Sequence, residues 1–127
     1  MPLRVELKPF ERVVIGESVI VNSGTRSSFL VEGDAPVLRE RDTMTEGRAT
    51  TPARRLYYLV QMMYLESSSN SDRVVCPAIV AELRTRMPGA GELIDAVERH
   101  VGAGAFYRAL KDIRTLIRHE ENEFESF

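Results

Sequence analysis

Thr51-Pro-Ala-Arg-Arg-Leu-Tyr-Tyr-Leu-Val-Gln-Met-Met-Tyr-Leu-Glu66 is the stretch on which the fold turns. Thr51 is a good N-cap and Pro52 suits the first helical position, where its missing N–H costs nothing, so a helix should begin here. From Leu56 to Leu65 only Gln61 is polar, which predicts a helix buried nearly all round, with Leu59 and Met63 in the core.

On the N-terminal side the pattern changes to period two. Leu3, Val5 and Leu7 alternate with Arg4, Glu6 and Lys8, as in a strand with one buried face. Pro9 and Phe10 interrupt it. Val13–Ile15 and Val19–Val21 flank Gly16-Glu17-Ser18 and predict a hairpin in which Gly16 takes a positive φ. Ser28–Glu32 and Val37–Arg41, separated by Gly33-Asp-Ala-Pro36, complete four to five short strands of a small antiparallel sheet. Their open edges predict a homodimer.

On the C-terminal side, a flexible loop is expected at residues 67–71. Three more helices follow: from about Asp72 to Met87, with Pro77 confined to the first turn or two, then Glu92–Val101, then Ala105 to about Glu121. Strands first and helices after give an α+β fold rather than an alternating one. The expected organisation is a β-rich half over 1–45, a helical half over 50–121, and a disordered acidic tail over 122–127.

Hydrophobic residues at 43% and charged residues at 28% fit an ordinary globular chain, against disorder or a fibrous repeat. The apolar run at Leu56 is far short of the ~20 residues a bilayer span needs. The N-terminus alternates where a signal peptide would be continuously apolar, so a cytoplasmic protein is expected, without membrane attachment. A single Cys76, following two valines, agrees and reads as a buried thiol.

No nucleotide loop, HExxH pair or metal-ligand spacing is present, so neither an enzyme nor a cofactor is expected. His100 and His119 fall near helix C-termini and read as surface groups. Net charge is −2, yet 15 of the 17 basic residues are Arg, whose planar fork suits phosphate. Arg54 and Arg55 stand in the first helical turn, where cations are disfavoured unless an anion is near: a bound phosphate, or acids such as Glu40 or Asp42. Arg108, Lys111, Arg114 and Arg118 line one helix face, a solvated one by default. The β half offers Arg4, Lys8, Arg12, Arg26, Arg39 and Arg41, with Phe10 and Phe29 as the aromatics that could stack on bases; hydrophobicity places both in the core.

Taken in order, Met1-Pro-Leu-Arg-Val-Glu-Leu-Lys-Pro9, Ile15-Gly16, Val31-Glu-Gly-Asp-Ala-Pro-Val-Leu-Arg-Glu40, Thr51-Pro-Ala-Arg-Arg-Leu-Tyr57, Met63-Tyr-Leu-Glu66 and Tyr107-Arg-Ala-Leu-Lys111 resemble the FlbT family of flagellin-synthesis regulators over nearly the full length. The resemblance implies a protein that associates with the 5′ untranslated leader of flagellin mRNA, represses translation and promotes message decay, some members being activators instead, beside a small partner, FlaF. The β half also resembles the carbon storage regulator CsrA at Ile15-Gly-Glu-Ser-Val19 and Gly33-Asp-Ala-Pro-Val-Leu-Arg-Glu40. That likeness implies RNA contact at the positions of Arg4, Lys8 and Arg39, though Glu6 stands among the charges of this first strand. Arg41, Arg54 and Arg55 join them as candidate RNA-binding residues. The alternative is a protein-interaction module whose helical half holds a FlaF or flagellin segment, acting on mRNA only indirectly.

Overall fold

Alternation and turn chemistry put five short strands before the first helix, in a computed structural model that describes residues 3–66 and 75–125. The chain divides into two compact units, Met1–Thr43 and Met44–Phe127.

In the first unit β1 (Leu3–Leu7) pairs antiparallel with β4 (Ser27–Val31), Val5 opposite Phe29. A second sheet has β2 (Arg12–Ile15) between β3 (Ser18–Val21) and β5 (Val37–Arg39). The strands therefore form two antiparallel sheets, not one, because the chain reverses at Lys8–Glu11 and begins a separate ladder. Ile15 faces Ser18 across a two-residue loop, with Gly16 at φ +59° as a type II′ hairpin requires. The strand expected to reach Arg41 stops at Arg39, and Glu40–Asp42 make a 3₁₀ turn. Buried Val5, Leu7 and Val13, with Ile15, Phe29, Val31 and Val37 packed against them, form this unit's small core.

In the second unit α1 (Pro52–Leu65) starts where the cap predicts: the Thr51 hydroxyl accepts the Arg54 amide proton at 3.2 Å. It is not buried all round. Ala53, Leu56, Tyr57, Val60 and Gln61 are buried, but Leu59 is 39% exposed and Met63 is only half-buried. Gln61, the polar interruption, is buried at 2% exposure and pairs with the Met44 backbone, accepting its N–H at 2.6 Å and donating to its carbonyl at 2.9 Å.

Helix α2 (Pro77–Arg86) has Pro77 at its first position and half-buried Cys76 as N-cap. The expected start at Asp72 and the 67–71 loop lie outside the described residues. Helix α3 (Gly91–Gly102) ends in a Schellman motif: Ala105 N–H to His100 O at 2.8 Å, Gly104 N–H to Val101 O at 3.0 Å, and Gly104 at φ +76°. Helix α4 (Phe106–Glu125) packs on α1 and α3 through Ala109, Leu110, Ile113 and Leu116. It continues to Glu125, so the acidic segment expected to be disordered from 122 is helical through 125.

Candidate nucleic-acid interface

Pro9 fixes the turn between β1 and β2. The Glu11 N–H donates to Lys8 O at 3.1 Å, and Phe10, third of the four residues, lies at φ +61°. With Pro at the second position this is a type II turn, whose third position favours glycine. A side chain in left-handed backbone costs about 1 to 2 kcal/mol. Phe10 is nonetheless 71% exposed, against the expectation that it joins the core, because the reversal aims it away from the sheet. Phe29 is half-buried against the small core.

The turn is held rigidly by the Asn22–Thr25 segment. Phe10 N–H donates to Ser23 O at 3.0 Å and Asn22 N–H to Glu11 O at 2.9 Å. The buried Asn22 side-chain amide donates to the carbonyls of Lys8 and Thr25, each at 2.8 Å, and of Leu7 at 3.2 Å. The end of the Phe10 ring reaches Gly24, where a Cβ would lie 3.4 Å from it.

Glu11 gathers the charges of this turn. Its carboxylate accepts the Lys8 N–H at 2.9 Å and Arg39 Nη1 at 3.3 Å, and Arg39 Nη2 also donates to the Glu6 carbonyl at 2.9 Å. The Lys8 amide chiefly holds the Glu11 carboxyl below the usual glutamate range; desolvation opposes it, while the charges of Arg39, Lys8 and Arg41 add to it. The Lys8 amide and the Arg39 guanidinium thus meet on the carboxylate of Glu11, the residue after Phe10, and the charge of Arg41 also acts on it. The expected partners of Arg39, Glu32 or Asp34, are replaced by Glu11, because Arg39 stands opposite Val13, two residues from Glu11, in the β2–β5 ladder.

Arg4, exposed and opposite Leu30, pairs with Glu6 at 3.7 Å and is not among the charges acting on Glu11. Arg54 and Arg55 lie in the other unit, where they pair with Glu121 and Glu82, each at 3.8 Å. The anion at the α1 N-terminus is internal: Glu120, 5% exposed, accepts the Ala53 amide proton at 3.0 Å. Arg114 leaves the expected solvated face of α4, with its guanidinium 5.8 Å from the Tyr57 ring centre and 3.3 Å from its hydroxyl. His100 Nδ1 lies 2.6 Å from Asp112 Oδ2, joining α3 to α4. Glu11 and Glu120 carry no signal in the sequence, and Asn22 stands out there only as the first residue of a polar turn over 22–25.

Among the described residues no helix is long and apolar enough to cross a membrane, and no group of three or more His, Cys, Asp or Glu could hold a metal ion. The family model described as "Flagellar protein FlbT" matches residues 3–124. The "Probable flagellum biosynthesis repressor protein FlbT" of Rhodopseudomonas palustris (strain TIE-1) is 50% identical over 121 residues, 95% of this chain and 96% of that one. "Probable flagellum biosynthesis repressor protein FlbT 1" of Bradyrhizobium diazoefficiens is 41% identical, covering 95% and 84%. The "Flagellum biosynthesis repressor protein FlbT" of Caulobacter vibrioides (strain ATCC 19089) is 35% identical, covering 95% and 88%. No solved structure matches the chain.

Proposed function

The chain belongs to the FlbT family of flagellar proteins, and from that premise we propose that it is a non-enzymatic, cytoplasmic repressor of flagellum synthesis. It binds the 5′ untranslated leader of flagellin mRNA, lowers translation and promotes degradation of the message, beside a FlaF-type partner. The observation that carries the reading is the turn at Lys8–Glu11, where the Lys8 amide and the Arg39 guanidinium both meet the Glu11 carboxylate beside an exposed Phe10. Arg forks and a Lys at such a turn suit phosphate. Arg4, and Arg54 and Arg55 with their long, open ion pairs, are further cations available to the RNA.

The test is fluorescence anisotropy of the full-length protein with a flagellin leader transcript, across salt, with the FlaF-type partner absent and then present. Three or four phosphate contacts give a slope of log affinity against log salt of about −2 to −3. A salt-indifferent complex, or none with RNA in either condition, defeats the reading. The exposure of Leu59 and Tyr107, each 39%, favours the second reading, a helical unit that docks a FlaF or flagellin segment. Under that reading the partner binds without RNA, and Leu59→Asp weakens it.

A further inference from the structure

We propose that Phe10 is a stacking platform for one unpaired base of single-stranded RNA, with Lys8, Arg39 and Arg41 holding the phosphates beside that base. The inference rests on the RNA-binding reading above and gives it a site. Phe10 contributes little to folding at its position. It is 71% exposed, and its φ of +61° is one that glycine would adopt without strain. An aromatic placed in a turn that disfavours it, and held out to water, is suited to serve what it touches outside the chain.

The surroundings select the ligand. Asn22, through three backbone carbonyls, and the Phe10–Ser23 hydrogen bond lock the turn, so the ring is presented in advance of binding. Its neighbours along the chain and across the turn are Lys8, Pro9, Glu11, Ser23 and Gly24. One ring among small and polar groups is too little apolar area to dock a protein. It matches a single base, and stacking is indifferent to base identity because each base has a π face. Glu11, the one acid at the turn, is occupied by the Lys8 amide and Arg39, so it does not oppose a phosphate with a free carboxylate. Phosphates on either side of a stacked base then meet Lys8, Arg39 and Arg41.

The chain contains no tryptophan, so Phe10→Trp in the full-length protein places a single reporter at the site. A flagellin leader transcript should quench its emission, whereas heparin, a polyanion without bases, should not. In anisotropy with the same transcript, Phe10→Leu and Phe10→Gly should each bind about tenfold more weakly and Phe10→Tyr should keep the native affinity. Phe10→Gly suits the backbone, so a folded protein with lost affinity separates binding from folding. Wild-type affinity in Phe10→Leu, or quenching by heparin equal to that by RNA, overturns the stacking site while leaving the RNA reading intact. Failure of the native protein to bind the transcript, with or without the FlaF-type partner, overturns both. Emission that shifts with protein concentration in the absence of RNA assigns the ring to a contact between copies and overturns the proposal.

Discussion

Leu56 and Leu59 sit three residues apart on α1, yet one is fully buried and the other is 39% exposed. Leu56→Ala should therefore cost about 2 to 5 kcal/mol, and Leu59→Ala no more than about 0.5 kcal/mol, the range of surface changes. Denaturant melts of the two variants check the difference; equal losses would put both residues in the core. Glu11 carries a pH dependence whose sign follows from its lowered pKa. A carboxyl with a depressed folded-state pKa stabilises the fold above its unfolded value, ~4.3 for glutamate, and loses that contribution as pH falls through the folded value. Acidification below about pH 4 should release the Lys8–Glu11 turn before neighbouring strands. Amide exchange at Lys8, followed against pH, should show this in the native protein and not in Glu11→Gln. Period two identified Val5 and Leu7 as inward, but not that Leu3 at the strand's end is 49% exposed, nor that Arg39 reaches Glu11, because a cross-strand partner is set by register. Phe10 was misplaced for a related reason: hydrophobicity argues for burial, and only the turn after Pro9 decides otherwise.

Strand β3 is exposed along its whole length, Val19 at 56%, Ile20 at 42% and Val21 at 55%, and lies at the edge of its sheet. It carries no Lys, Pro or bulge to discourage pairing. Being uncharged, it is complementary to a second copy of itself running antiparallel, and we expect a homodimer through β3 at micromolar protein. Light scattering should give twice the chain mass for the native protein and the monomer mass for Val19→Lys; a native monomer at those concentrations removes the expectation. Helices were the most legible elements, because caps and breakers are local: Thr51-Pro52 and Gly104 mark their ends in the sequence as in the structure. The division of the strands between two sheets was not legible, since the pairing of β1 with β4 closes over 19 or more intervening residues. Nor was the burial of α1, whose apolar run exceeds the face that its neighbours cover.

The first unit buries only four apolar side chains among its described residues, Val5, Leu7, Val13 and Leu38, and such small cores are marginal. The second is built on four helices with α4 against both α1 and α3. In hydrogen exchange the strand amides should therefore open at lower free energy than those of α1, α3 and α4, and a bound leader RNA should slow the strands selectively. Uniform exchange through one global opening would show instead that the chain unfolds as a single cooperative body. The Glu120–Ala53 hydrogen bond sets an order in time as well. The amide that begins α1 receives its carboxylate from a residue made 67 positions later. At ~5 to 20 residues per second on the ribosome, that is roughly 3 to 13 s of synthesis. During that interval the strands are already synthesised and can pair while the nascent helical unit still lacks its closing contact, so the strand unit can be complete before the rest of the chain is translated.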